Sequence, residues 1–315
     1  MKSRLFSLPE RTQIGLKLIV THVLTIPVLL IVSYISRSII VLSITQTCLL
    51  ILLLAGYWEF LGVRFKWIFC SILECAILME MIVILIKNVP GSANTVWFFL
   101  LMLLQIYLLF LVTRIIMVIL KRDREVLEIA FPFKDGKFMI TDGGNSKLSR
   151  LMNYHYHSKV HKKRRTNLSM LYATDIVKVA RHSKFLPPAN EDYPVFSQKI
   201  YCPMDGTVFK VINDIKDNIP FSGDYPYNTG NTVVIRRDEY FFLLGHLKFG
   251  SISVKEGDIV KKDDEIGECG NSGMSERPHL HMQLMKSDTD EYWQGKGVCI
   301  QYRNKDLYKN RILQV

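Results

Sequence analysis

The chain has 315 residues, 49% of them hydrophobic, and a formal net charge of +11. It is too apolar for an ordinary soluble protein, and a basic surface suits anionic lipid headgroups or an anionic cell-wall polymer. Its six cysteines follow no regular spacing, which argues against a disulfide framework and a cysteine-based zinc site.

The apolar residues concentrate at the front. Runs at about 18–35, 39–56, 67–86 and 95–120 each approach the 18–20 apolar residues that cross a bilayer as a helix. They predict a four-helix transmembrane region over 1–120, retained rather than cleaved, in a multi-pass protein of a bacterial cell membrane. Glu74 and Glu80 are the acids inside these runs, read as bundle-facing. If all four runs cross, Lys2, Arg4, Arg11, Lys17, Arg64, Lys66, Lys121, Arg122 and Arg124 stand on one side against Arg37 and Lys87 on the other. That balance puts the C-terminal part in the cytoplasm.

Residues 121–136 (KRDREVLEIAFPFKDG) read as a charged linker. From 137 the pattern changes to short runs rich in β-branched and aromatic residues: FMIT, TVFKVI, NTVVIRR, EYFFLLGH, SISV and HLHMQLM. Turn residues punctuate them, in MDG, NTGN, EGD and GNSG. Spacing of this kind predicts an antiparallel all-β domain over 137–302, followed by a tail at 303–315. The basic run Lys162-Lys163-Arg164-Arg165 sits in an expected loop with no aromatic stacking platform nearby, so nucleic acid is not an expected partner.

Within that domain the sharpest feature is His279-Leu280-His281. Residues two apart on a strand share a face. Two imidazoles on one face can divide a metal-site task, one holding the ion and the other moving protons. His246, at the end of EYFFLLGHL, and Asp175, in LYATDIVKV, are further candidates. Each alone has a bland reading, as a strand-end histidine or a turn carboxylate. His182 is read as surface.

The segments YATDIVKV, YCPMDGTVFKV, GNTVVI, LLGHL, VKEGDIVKKDDEIGECGNSG and PHLHMQL, in this order, resemble the lysostaphin-type zinc metallopeptidases, which cut peptidoglycan peptides. The resemblance implies a duplicated hybrid motif or barrel-sandwich β fold. It implies Zn2+ held by Asp175, His281 and an upstream histidine, with His246 and His279 as the catalytic, non-ligand pair. The common family box places the upstream ligand four residues before the aspartate, where this chain has Leu171. An Asn-x-His segment supplies it in the branch resembled, which implies His155; His157 and His161 are the alternatives. The implied activity is hydrolysis of glycine-containing cell-wall peptides beside a lipid bilayer, which conflicts with a cytoplasmic domain. The alternative is a non-catalytic scaffold that binds wall peptides or activates a hydrolase.

Overall fold

The computed structural model describes residues 10–55, 63–87, 95–117, 125–145, 153–157, 167–180, 186–226 and 228–315. The chain divides into two compact units, one within 10–117 and one within 118–315.

The first unit holds α1 (Glu10–Ser36), α2 (Ile39–Leu54), α3 (Val63–Lys87) and α4 (Thr95–Met117). Ser38 caps α2 by accepting the Val41 N–H at 3.5 Å, a task suited to a short hydroxyl side chain. Among the described residues, one helix is long and apolar enough to cross a membrane: the Leu16–Ser36 part of α1. This overturns the expected four-helix transmembrane region and the multi-pass reading. The 16 residues of α2 rise only about 24 Å, short of a hydrocarbon core of about 30 Å. The described apolar part of α4 is shorter still, Met102–Val112. Polar side chains tie α2, α3 and α4 together. Gln105 donates to Gln46 at 3.4 Å, Gln46 donates to Glu74 at 2.8 Å, and the buried Lys66 ammonium donates to the Leu53 carbonyl at 2.7 Å. The charge balance presumed four crossings, so the cytoplasmic assignment loses its basis.

The second unit is built on β1 (Val126–Glu128), β2 (Lys137–Asp142), β3 (Thr174–Lys178), β4 (Lys199–Tyr201), β5 (Gly206–Ile212), β6 (Asn231–Arg237), β7 (Tyr240–Leu247), β8 (Ile259–Val260), β9 (Glu265–Glu268), β10 (Leu280–Lys286), β11 (Lys296–Tyr302), β12 (Lys305–Asp306) and β13 (Ile312–Gln314). Eleven of the described strands form one sheet with the order β13-β2-β3-β10-β7-β6-β5-β8, while β4 and β9 pair separately. Every pairing is antiparallel except β1 with β11. One large sheet therefore stands where a duplicated barrel-sandwich motif was expected. The cause is β10, which pairs with β7 along one edge and shares the other between β3 and β11.

β6 and β7 are buried along most of their length, which is why their sequences run apolar instead of alternating. The period of two sorts their side chains all the same. Val233, Ile235, Phe242, Leu244, Leu280, Met282 and Leu284 enter the main core. Val234, Phe241, Leu243 and Met285 pack on the opposite face. His281 and Gln283 alternate with the first group along β10, and so lie on that second face.

Both flanks of the sheet are drawn into it. Residues 121–136 were expected to be a linker, yet β1 pairs with β11, and Ile129, Phe131 and Phe133 join the core. The Phe133 ring stacks on Phe138 at 4.6 Å. At the other end β12 pairs with β11, β13 pairs with β2, and Leu307 and Leu313 are buried.

Candidate metal centre

Register places the chemistry. Asp142 on β2 lies opposite Asp175 on β3, Asp175 lies opposite His281 on β10, and His281 lies opposite Gly245 on β7. One row thus crosses four strands on the face away from the main core. His279, two residues before His281, shares that face. His246 follows Gly245, with a backbone φ of 60°, a left-handed conformation that histidine adopts more readily than most residues. His155 arrives from outside the sheet, on a short helical turn at Tyr154–His157.

Around Asp175 the four imidazoles follow a common rule, each with one ring nitrogen tied to an oxygen. His155 Nδ1 lies 3.0 Å from Asn153 Oδ1, and His281 Nε2 lies 3.0 Å from Gln283 Oε1. His246 Nδ1 lies 2.8 Å from the Ser272 carbonyl, and His279 Nδ1 lies 2.8 Å from the Arg277 carbonyl. These oxygens accept only, so each bonded nitrogen carries a proton; in His281 the second nitrogen is bonded as well, to Asp175, and both donate when the ring is charged. The other nitrogens of three rings approach Asp175: His281 Nδ1 donates to Oδ1 at 2.8 Å, and His155 Nε2 and His279 Nε2 lie 3.6 and 3.8 Å from its oxygens. His246 packs beside them, its ring 4.7 Å from His279 and 5.6 Å from His281.

The electrostatics divide the set. Burial alone would raise the Asp175 pKa, but His155, His279 and His281 hold it well below the usual carboxylate range. Burial lowers His246 well below an ordinary histidine, and His279 and His281 lower it further. Burial also lowers His279, against the pull of Asp175. His281 goes the other way: burial would lower it, but the bond to Asp175 and its charge raise it. Around neutral pH, His246 and His279 are therefore uncharged and able to take up a proton.

His155, Asp175 and His281 are a group that could hold a metal ion, with one donor atom from each lying within 4.8 Å of the others. Ligands about 2.0–2.2 Å from a four-coordinate ion stand roughly 3.3 Å apart; His281 Nδ1 lies 2.8 Å from Asp175 Oδ1 and His155 Nε2 lies 3.6 Å from Oδ2. Two imidazoles and a carboxylate also fit the donor types of a hydrolytic site with one position left open. Asn153 and Gln283, which fix the tautomers of the two ligand histidines, are the kind of support such ligands need.

Among the sequence candidates, the structure brings together His155, Asp175, His246, His279 and His281. Leu171 packs against Tyr156 and Tyr172. The His157 side chain, His161, Lys162–Arg165 and His182 lie outside the described residues. Asp142 and Gln283 were not singled out beforehand, and Asn153 entered only as the first residue of the Asn-x-His segment, with no role of its own. For Gln283 the signal was present, since it stands two residues after His281 and shares its face. The carbonyls of Ser272 and Arg277 belong to the backbone, and no residue type reports them.

Residues 192–296 match the family described as Peptidase family M23. The match includes His246, His279 and His281 and ends short of Asp175 and His155. An uncharacterized metalloprotease of Buchnera aphidicola subsp. Baizongia pistaciae (strain Bp) is 38% identical over 74 residues, 23% of this chain and 19% of that protein. The chain therefore matches about a fifth of the length of that curated relative. Among solved structures, a zinc containing peptidase from Vibrio cholerae aligns at 21% identity, covering 53% of this chain and 37% of its own, with a TM-score of 0.32. The solution structure of lysostaphin aligns at 18% identity, covering 51% of this chain and 48% of its own, with a TM-score of 0.30. The stretch 192–296, which supplies three of the four histidines around Asp175, is a peptidase family M23 domain.

Proposed function

We propose that this protein is a zinc metalloendopeptidase, anchored in a lipid bilayer through α1, that hydrolyses glycine-containing peptides such as those of peptidoglycan. The observation that carries this reading is the convergence of imidazole nitrogens on the Asp175 carboxylate, each ring held by an acceptor behind it. His155 Nε2, one Asp175 oxygen and His281 Nδ1 would hold the ion. Bound there, zinc makes water a nucleophile near neutral pH and polarises the scissile carbonyl. His246 and His279 stay off the ion. Their neutral rings accept the water's proton, return it to the leaving amine and, once protonated, hold negative charge that develops on the carbonyl oxygen. Asn153 and Gln283 keep the ligand rings from rotating, so the donor set is formed before the ion arrives.

The test is metal analysis of the purified full-length protein together with hydrolysis of an oligoglycine peptide. The expected result is about one zinc per chain, with activity lost on chelation and restored by zinc. A folded protein that takes up no zinc would refute the reading.

A further inference from the structure

We propose that Asp142 is a positioning residue for this metal centre, acting through His155; the inference rests on the reading of His155 as a ligand. A β-bulge between Ile140 and Asp142 shifts the register of β2 and brings Asp142 directly opposite Asp175. Both Asp142 oxygens accept the Tyr154 N–H, at 3.0 and 2.9 Å, which pins the start of the turn bearing His155. Oδ2 lies 3.7 Å from His155 Nδ1, while Asp175 Oδ2 lies 3.6 Å from Nε2 on the far side of the ring. The imidazole is thus held between two carboxylates on neighbouring strands. Asn153 Oδ1, nearer at 3.0 Å, takes the ring proton. Asp142 supplies a buried negative charge behind the ring and an anchor for its backbone. A carboxylate there polarises the imidazole toward the ion and makes it a stronger ligand. Burial raises the Asp142 pKa, while the charges of Lys309 and His155 and the Tyr154 N–H favour its ionised form.

The test uses full-length protein stripped with chelator and titrated with cobalt(II), read by the dissociation constant and the visible absorption of the bound ion. Asp142→Asn is nearly isosteric and keeps an oxygen for the Tyr154 N–H while removing the charge. The expected result is affinity weaker by about tenfold or more, an altered absorption band, and an unchanged melting temperature for the metal-free protein. Wild-type affinity and band in the variant would overturn the inference and leave the metal site standing. Loss of affinity with an unaltered band and an equal loss of metal-free stability would overturn it in favour of a purely structural role. A wild-type protein that binds no cobalt would overturn it together with the reading beneath it. Should Asp142→Asn not fold, Asp142→Ser, which keeps one hydroxyl acceptor, enters the same titration with the same outcomes.

Discussion

Each imidazole around Asp175 has its own acceptor behind it, so the roles can be separated one residue at a time. His155→Ala should abolish zinc binding, because it removes one of three donors. His246→Ala and His279→Ala should keep the metal and lose roughly 100-fold or more in hydrolysis, the usual cost of removing a group that acts in the transition state. Metal content and kcat, measured on the same preparations, check both; zinc loss in His246→Ala would show that the roles are misassigned. Gln283→Leu keeps the volume but removes the acceptor for His281 Nε2. It should weaken zinc by about 10- to 100-fold, measured by competition with a chelating dye. Much of this set was legible in the sequence. His279-Leu280-His281 carried the strand period, and Asp175 and His246 stood at the ends of apolar runs. Asp142 was not legible, because what selects it is contact with a turn that no periodicity reveals, and Asn153 was visible as part of Asn-x-His but not its hold on the ring.

At the scale of elements, the loop before β10 matters most, since it carries the Ser272 carbonyl that orients His246. Gly230 and Gly273 meet there with φ of 67° and 73°, and a Cβ on Gly273 would stand 2.2 Å from the Gly230 nitrogen. Gly273→Ala therefore combines a left-handed backbone with a clash against main chain. It should cost about 1–3 kcal/mol, read by denaturant unfolding. Displacing Ser272 should lower kcat more than zinc content, since both ligand strands lie elsewhere. The strands β2, β5, β6, β7 and β10 were foreseen, because alternation and turn residues mark them in order, whereas SISV forms no strand and β1, β12 and β13 lie in the expected linker and tail. The helices were foreseen as apolar runs, but their role was not. Apolar length does not distinguish a lipid-facing helix from one facing its neighbours, and Gln46, Glu74 and Gln105 face neighbours.

For the molecule as a whole, the β unit begins earlier and ends later than its sequence motifs. A fragment starting near residue 121 retains β1, Ile129, Phe131 and Phe133 and should unfold cooperatively. One starting at 137 leaves Phe138 without the ring stacked on it and β11 without its parallel partner. The loss of two buried phenylalanines, each worth about 3–5 kcal/mol, approaches the whole stability of a domain, so that fragment should be aggregated or molten by circular dichroism and thermal melting. The sequence hid this because KRDREVLEIAFPFKDG is charged at its start and ends in a turn, which masks the apolar residues between.

The pairing of β3 with β10 also sets an order in time. Asp175 and His281 are 106 residues apart in the chain yet only 2.8 Å apart in the fold. Closing so long a loop is slow compared with forming local hairpins. The proposed donors reach the ribosome exit in two instalments, His155 and Asp175 first and His281 only after the six intervening strands β4 to β9 have been made. A growing chain cannot hold zinc firmly before that moment. Capture of the ion thus works as a clock: in refolding followed with a zinc-sensitive dye, the signal should trail the appearance of β structure and mark the closing of the sheet.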